Sequence, residues 1–218
     1  QWRRHKDDFI LDRARPEWYR NRHTTDVLAG EVQAIVNTAF GSSAFGGEVG
    51  GERIASSNLG DHARTRTGLF CEHRVEHAGR FVLSLGASAF HYSRMGWKLS
   101  PGADIGITLG ERARLFASVG RAFRVPTYTD LYYNDPANVG NPDLRVEQAW
   151  SYETGVAWKS EAFAGEFSVF RRDGTNLIDY VRNGSSEPWR VWNITSVTTD
   201  GLEAAIGIYP ASVIRGFP

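Results

Sequence analysis

The sequence predicts an all-β fold: an antiparallel, up-and-down transmembrane β-barrel segment of about ten long strands. Two features of the chain lead to this prediction. Apolar and polar side chains alternate over long stretches, and short connections between these stretches alternate with longer ones. The composition agrees, because 7 Trp, 8 Tyr and 23 Gly among 218 residues suit β-structure with aromatic girdles better than a helical protein.

The front of the chain supplies most of the predicted strands. Between residues 24 and 40, Leu28 and Val32 fall on one face of an extended chain, while Glu31 and Gln33 fall on the other. The same period recurs in the segments that follow, whereas the first predicted strand is rich in charged residues. These strands are predicted at residues 1–14, 24–40, 44–57, 64–77, 81–91, 97–109 and 113–121.

The strictest alternation comes later, at residues 147–158. Trp150 and Tyr152 point one way, and Ala149 and Glu153 point the other. An aromatic face opposite a small or acidic face suits a strand with lipid outside and a wet lumen inside. The two remaining strands are predicted at residues 163–181 and 189–209.

The alternation also predicts which side chains share a face. The outer, lipid-facing set is Leu28, Val32, Leu85, Ile105, Ile107, Val156, Leu202 and Ile206. The inner, polar set is Glu31, Asp104, Glu153 and Glu203.

The connections fall into two classes that alternate along the chain. Those near residues 42, 78, 111 and 160 are short. Those near 19, 60, 94, 134 and 185 are mostly longer and rich in aromatic or polar residues. In a transmembrane barrel the short turns lie on the periplasmic side and the longer loops are extracellular.

The longest connection, residues 122–146, holds most of the candidate ligand-binding residues. Pro126, Pro136 and Pro142 make a continuous helix or a central strand unlikely there. Its tyrosines form either an interfacial girdle or a stacking surface for a planar ligand, and both interpretations stay open. The candidate residues are Tyr128, Tyr132, Tyr133, Asn134, Asp135, Asn138, Trp18, Tyr19 and Trp189.

Other classes of function receive little support. Lys+Arg and Asp+Glu both number 25, so the basic excess typical of nucleic-acid binding is missing. Cys71 is the single cysteine, and there is neither a G-x-S-x-G motif nor a glycine-rich phosphate loop. His73 and His77 would lie ~13 Å apart on a strand, too far for a metal pair. We therefore expect no enzyme, no metal and no cofactor; Asp130, Asp135 and Asp143 are better explained as turn residues than as calcium ligands.

Two motifs in the back half carry a family resemblance. AFRVPTYTDLYY, followed by GNPDLRVEQAWSYETGV, resembles the barrel of TonB-dependent outer-membrane receptors. Val146 stands where that family commonly has Pro. FRRDGTNLIDYV and NITSVTTDGLE resemble the next two strands of the same barrel. HTTDVLAGE, FGGE and WKLSPGADIG in the front half are most similar to the branch of cobalamin receptors.

The resemblance implies a function and an incomplete architecture. Such receptors have about 22 strands around a plugged lumen. Residues 1–218 are therefore expected to be a single barrel segment of a larger receptor, without the plug domain, the TonB box or the remaining strands. The start at Gln1 and the end ASVIRGFP are read as cut points. The implied function is uptake of a scarce bulky nutrient, a corrinoid or a metal chelate, across the bacterial outer membrane.

The implied partners are the TonB complex, which would supply energy through the missing plug, the transported ligand and outer-membrane lipid. Two alternatives remain open from the sequence. One is a structural or enzymatic outer-membrane barrel without TonB-coupled transport. The other is a soluble β-sandwich that serves as a binding module.

Overall fold

In the computed structural model, which describes residues 1–209, the chain forms one sheet of eleven strands and one short helix. The strands are β1 (Trp2–Ile10), β2 (Arg20–Thr38), β3 (Gly41–Ser56), β4 (Gly60–His77), β5 (Phe81–Tyr92), β6 (Gly96–Leu109), β7 (Ala113–Arg124), β8 (Asn138–Val139), β9 (Glu147–Lys159), β10 (Phe163–Val181) and β11 (Trp189–Ile208), and the helix is α1 (Tyr128–Tyr132). The ASVIRGFP end lies outside the described residues.

The sheet order confirms the predicted fold class. The long strands pair antiparallel with their neighbours in sequence, and β7 pairs with β9 across the connection that contains α1 and β8. β8 departs from this order, since its two residues run parallel to Trp189 and Arg190 at the start of β11. Within residues 1–209 the sheet stays open, because β1 and β11 are not paired with each other. No helix of this part of the chain is long and apolar enough to cross a membrane.

The first strand is shorter than predicted, and β2 begins earlier than predicted. Asp12 explains the end of β1, because its side chain accepts the N–H of Ala14 at 2.9 Å and starts a turn. Arg20 and Asp8 form a two-point ion pair across β1 and β2, with Nε to Oδ1 at 2.7 Å. This pair holds the extra residues of β2 in the ladder.

The connections sort by end as predicted, with one qualification. The short turns are residues 39–40, 78–80, 110–112 and 160–162, and the opposite end carries 11–19, 57–59, 93–95, 125–146 and 182–188. The connections 57–59 and 93–95 have three residues each, the same length as three of the four short turns. At 57–59 the reason is Ser56, whose hydroxyl accepts the N–H groups of Asn58 and Leu59 and tightens the bend.

The register places all the predicted outward residues on one face. Ile105 lines up through Ala117, Thr154 and Val169 with Leu202, while Asp104 lines up with Ser118 and Glu153 on the other face. We call the first face the outer face and the second the inner face. The outer apolar side chains are solvent-exposed, as in Val32 at 78% and Ile206 at 81%.

The exposed apolar residues of the outer face form a continuous apolar band, which ends at charged residues on several strands. The band contains Leu28, Val32, Val36, Phe45, Val49, Leu69, Leu85, Leu99, Ile105, Ile107, Leu115, Val156, Phe167, Val169, Leu202 and Ile206. Toward the end with the longer loops, the first charged outward residues are Arg4, Asp26, Arg53, Asp61, Arg121, Arg171 and Asp200.

Four phenylalanines of the inner face lie across glycines of the neighbouring strand. A Cβ on Gly68 would meet the Phe90 ring at 2.3 Å, and one on Gly201 would meet the Phe170 ring at 2.3 Å. Each ring therefore occupies the space that a side chain on the opposite strand would need. The pairs are Phe70 with Gly46, Phe90 with Gly68, Phe116 with Gly155 and Phe170 with Gly201.

The small hydrophobic core lies at the end of the sheet with the longer connections. Leu131, Leu144 and Val191 are buried together, and Met95 and Ile178 pack against them. Because Leu131 and Leu144 belong to residues 125–146, this core fixes that connection to the sheet.

Candidate functional site

The connection 125–146, called the long loop below, begins with a capped helical turn. The Thr127 hydroxyl accepts the N–H of Asp130 at 3.0 Å, and the Asp130 carboxylate accepts the N–H of Thr127 at 2.9 Å. This reciprocal capping box satisfies two backbone donors and starts α1 directly after Pro126. Arg124 then joins the two ends of the loop, since its guanidinium contacts Asp130 at 3.1 Å and Glu147 at 2.9 Å.

One side of the long loop is tied to β11. The Asn193 amide accepts the N–H of Arg145 at 2.8 Å and donates to the Arg145 carbonyl at 3.0 Å. A side chain thus takes the place of a pairing strand. Val191, two residues earlier, is fully buried against Leu131 and Leu144.

The other side is tied to β4 by an aromatic stack of His62, Tyr128 and Tyr132. The His62 and Tyr132 rings are nearly parallel, with centroids 3.6 Å apart, and His62 and Tyr128 are 5.9 Å apart. Arg64 adds a cation–π contact, 5.3 Å from the Tyr128 ring, and donates to the Pro126 carbonyl at 2.9 Å. The loop therefore contacts strands on both sides of the inner face.

A chain of hydroxyl groups links the loop to β2. Tyr133 donates to Asp135 at 2.9 Å, and its oxygen lies 2.8 Å from that of Tyr19, which accepts from the Asn21 amide at 3.1 Å. Because the Tyr133 hydroxyl proton is donated to Asp135, the Tyr133 oxygen acts as acceptor toward Tyr19, and the Tyr19 hydroxyl is the donor. Asp135 also accepts the N–H of Asn138 at 2.6 Å, which forms the turn before β8.

The structure brings most of the sequence-predicted candidates together. Tyr128 and Tyr132 meet in the aromatic stack, and Tyr19, Tyr133, Asp135 and Asn138 meet in the hydroxyl chain. The Asn134 carbonyl accepts from the Asn58 amide at 3.0 Å, and the Trp189 N–H donates to the Ala137 carbonyl at 2.7 Å. Trp18 stands apart: it is 63% exposed, and its partners within residues 1–209 lie in the connection 11–19.

Three contributors to the site are absent from the sequence-predicted set. His62 lies in the stack, Arg64 supports Tyr128, and Arg94 donates to the Tyr132 hydroxyl at 2.7 Å. The sequence marks Arg64 as an inward polar residue of its strand. It gives no signal for His62 or Arg94, because their contacts depend on how the long loop folds over distant strands.

Burial and hydrogen bonding keep two tyrosines of the site protonated. Burial, and next the Glu52 carboxylate, raise the pKa of Tyr128 to about 12. The hydrogen bond with Tyr19, followed by burial and Asp135, holds the pKa of Tyr133 well above its usual range. Burial raises the pKa of Asp135, but the N–H donors of Ala137 and Asn138 and the Tyr133 hydroxyl outweigh it and lower the value.

The raised tyrosine pKa values predict a late alkaline titration. Unfolded tyrosine ionises near pH ~10, so the stabilisation from neutral Tyr128 is present below that value and is lost as pH rises toward about 12. Ultraviolet absorbance of tyrosinate should show late components that include those of Tyr128 and Tyr133. Tyr128→Phe should remove one of these two and Tyr133→Phe the other. Wild-type titration curves in both variants would contradict this assignment.

Gly140 explains a part of the GNP motif. A Cβ there would lie 2.9 Å from backbone atoms of Leu131, Tyr132 and Tyr133, so only glycine lets β8 approach α1. We expect Gly140→Ala to destabilise the folded loop by about 1–3 kcal/mol, the usual cost of overpacking. The measurement is limited proteolysis within the loop together with urea unfolding. Gly184→Ala, whose added Cβ would meet nothing within 4 Å, is the matched control, and equal effects would refute the explanation.

A small cavity lies between the loop and the wall, beside Gly50, Arg64, Arg66, Tyr92 and Val125. Its volume of about 90 Å³ holds about three waters and no bulky molecule. The inner face also carries a wider, open depression of about 360 Å³ beside Arg74, Asp104, Arg114 and Glu153. A bulky ligand could contact that depression as well as the exposed surfaces of the long loop and its aromatic stack. The long loop and the stack offer aromatic rings for stacking, with guanidinium, amide and carboxylate groups for orientation.

Comparison with known proteins agrees with this architecture. The chain is 30% identical over 99 residues to the vitamin B12 transporter BtuB of Vibrio vulnificus, covering 45% of this chain and 16% of that protein. It is 23% identical over 217 residues to the ferrienterobactin receptor of Escherichia coli, covering 88% of this chain and 28% of that protein. The chain thus spans less than a third of these relatives.

Solved structures show the same fold at low identity. A mutant ferric enterobactin receptor (PfeA) from Pseudomonas aeruginosa, in complex with enterobactin, matches with a TM-score of 0.76 at 17% identity, covering 93% of this chain and 38% of that one. The siderophore receptor PirA from the same organism gives 0.74 at 23% identity, covering 85% and 37%. The family profile described as TonB dependent receptor-like, beta-barrel, matches residues 4–214. This chain therefore belongs to the TonB-dependent receptor family, as the motifs around the long loop predicted.

Proposed function

We propose that this chain is a barrel segment of an outer-membrane receptor that takes up a scarce bulky nutrient, a corrinoid or a metal chelate, with energy coupled through TonB. The observation that carries the proposal is the long loop, which holds three tyrosines over the inner face at the end of the longer connections. Relatives named as a vitamin B12 transporter and a ferrienterobactin receptor support it from both candidate ligand classes.

The apolar band supports the location in the outer membrane. On β2, outward residues are uncharged from Leu28 to Thr38. The next outward residue toward the end with the longer connections is Asp26. Ten residues of strand rise about 33 Å, which at the usual tilt of ~40° crosses about 25 Å of hydrocarbon. The exposed apolar faces of these residues would be costly in water and suit lipid.

The remaining parts of the function lie in the longer protein. A receptor of about 22 strands needs further strands and a plug, and the relatives are several times longer than this chain. The TonB complex would act through that plug. The named relatives are transporters and receptors, which gives no support to a barrel without transport.

The test is binding of the transported compound to the tyrosines of the long loop. In the full-length receptor, Tyr132→Ala combined with Tyr133→Ala should weaken binding by ~1–3 kcal/mol, the scale of lost aromatic contacts at a hot spot. Membrane insertion should stay unchanged, because no outward strand residue is altered. The measurement is surface binding of labelled cobalamin and of ferric chelates to whole cells, with receptor levels matched by immunoblot.

Two controls separate ligand contact from loop folding. Tyr132→Phe with Tyr133→Phe keeps the rings but removes the hydroxyls that meet Arg94 and Asp135. Trp18→Ala removes an aromatic ring that stands apart from the long loop. Unchanged affinity in the double alanine variant would assign the tyrosines to an interfacial girdle, and loss of the receptor would make them structural.

A further inference from the structure

Three oxygen-bearing side chains meet between the connection 11–19 and the long loop, at the end of the sheet with the longer connections. The hydroxyl oxygens of Tyr19 and Tyr133 lie 2.8 Å apart, and the Tyr133 oxygen lies 2.9 Å from Oδ2 of Asp135. We call these three side chains the oxygen triad. All three are half-buried, so a small ion from solvent could reach them.

The spacing of the oxygen triad matches that of neighbouring ligands in a small octahedral metal site. Metal–oxygen bonds of about 2.0 Å place adjacent ligand oxygens about 2.8 Å apart. Hydrogen-bonded hydroxyl oxygens have nearly the same separation. The triad could therefore exchange its two phenol protons for one cation with little movement of its oxygens.

Neighbouring groups hold the carboxylate of the triad in the orientation of a ligand. Oδ1 of Asp135 accepts the backbone N–H groups of Ala137 and Asn138, at 2.7 and 2.6 Å. Oδ2 is turned toward Tyr133. Hydrogen bonds of this kind orient ligating carboxylates in metal sites, so Asp135 serves both the turn and the triad.

Tyr19 is held in place from the opposite side. Its hydroxyl accepts from the Asn21 amide at 3.1 Å, and its ring packs edge-on against Phe9, with centroids 6.4 Å apart. Its backbone carbonyl accepts the N–H of Leu11 at 3.1 Å. Two separate parts of the chain thus present fixed oxygens to one point.

A buried oxygen beside the triad has no partner. Oδ1 of Asn58 is shielded from solvent and accepts no hydrogen bond within residues 1–209. The nitrogen of the same amide donates to the Asn134 carbonyl at 3.0 Å, and Asn134 stands between Tyr133 and Asp135 in the chain. A buried acceptor without a donor is expected where a water or an ion completes the contacts.

The charge of the triad suits a trivalent cation. Two phenolates and the Asp135 carboxylate carry three negative charges, and their hard oxygen atoms favour a small, highly charged ion. Tyrosinate is a protein ligand of iron. The two phenol protons leave to solvent on binding, and the charge of the metal offsets the raised pKa of Tyr133. Divalent calcium or zinc would leave one negative charge unbalanced.

We propose that Tyr19, Tyr133 and Asp135 form a binding site for a ferric ion, in which water or the groups of a small chelator fill the other coordination positions. The bound ion would join the connection 11–19 to the long loop. The sequence predicted no metal site, and the two tyrosines are 114 residues apart. The site goes beyond the proposed uptake function, because it does not depend on which compound is transported.

The test is titration of the full-length receptor, purified in non-ionic detergent, with ferric nitrilotriacetate. Binding should produce the visible charge-transfer band of iron-bound tyrosinate and its resonance Raman signals. Tyr19→Phe with Tyr133→Phe should abolish the band and lower the affinity by about 100-fold or more, since even outer-shell changes cost about 10–100-fold. Asp135→Asn keeps an acceptor for the turn and should lower the affinity by at least about tenfold.

Controls assign the signal to the triad. Tyr152→Phe removes a phenol from the outer face of β9 and should leave the band unchanged. Gallium(III) should displace the iron, whereas calcium and zinc at the same concentration should not.

The wild-type spectrum decides the outcome even where a variant fails to fold. A wild-type receptor without tyrosinate signals, a band that survives in the double phenylalanine variant, or equal displacement by calcium would each overturn the proposal. Uptake of labelled cobalamin and of ferric chelates is measured in parallel, so that failure of the proposed function is seen separately.

Discussion

Leu85→Arg is expected to destabilise the lipid-inserted protein by about 2–4 kcal/mol, the cost of a cation at the bilayer midplane of a barrel. Leu85 lies in the middle of β5, points to the outer face and is 51% exposed. Its lateral neighbours on that face, His73 and Ala103, offer no carboxylate to pair with the new charge. The guanidinium would therefore have to leave the apolar band or remain unpaired in lipid.

The measurement is urea unfolding in lipid vesicles, and the control is the preceding residue. Ser84 points to the inner face, where Asp104 lies opposite, so Ser84→Arg should cost much less. The comparison holds strand, depth and new side chain constant and changes only the face. Equal losses for the two variants, or no loss at Leu85, would show that the faces are wrongly assigned.

Arg64→Met is expected to lower the free energy of unfolding by about 2–3 kcal/mol, less than the ~3–5 kcal/mol typical of breaking a fully buried ion pair. The Arg64 side chain is 11% exposed and joins the Glu52 carboxylate, the Pro126 carbonyl and the Tyr128 ring. Its removal leaves the Glu52 charge without its partner in a partly buried place. The expected loss is smaller because the Glu52 side chain is 32% exposed, so water partly solvates the charge that remains.

A second substitution isolates the cause of that loss. Arg64→Met combined with Glu52→Gln removes the orphaned charge and should recover part of the stability in the same urea titration. Arg171→Met breaks a pair whose side chains are 55% and 60% exposed, and should cost no more than about 1 kcal/mol. Equal costs at Arg64 and Arg171 would mean that the long loop does not depend on its arginine anchor.

The sequence predicts the strands well because the alternation of apolar and polar residues lies within each strand. Trp150 and Glu153 belong to different faces whatever lies elsewhere in the chain, and period-two alternation records that locally. The register then follows, since a slip by one residue would exchange the lipid and lumen faces. The predicted strand ends and connection lengths are wrong where a side chain hydrogen-bonds to the backbone and forms a turn. Asp12 does this at the end of β1, and Ser56 does it at the bend 57–59.

The candidate site is predicted only in part, because its contacts join residues that are far apart in the sequence. Tyrosine, proline and aspartate mark the long loop, but the partners that fix its shape are far away in sequence. His62 stacks on Tyr132, and Asn193 takes the place of a strand beside Arg145. No local pattern encodes these contacts, because they arise only when the loop folds back across the inner face.

The pairing of phenylalanine rings with glycines on the inner face has a consequence for the clearance of the lumen. A ring that lies flat across Gly68 or Gly201 adds aromatic area to the wall but little height. Any larger residue at those glycines would push the ring away from the sheet, so that it would project further from the inner face. At these four phenylalanine–glycine pairs the inner wall therefore presents a low aromatic surface, set among charged inward side chains such as Asp104 and Glu153.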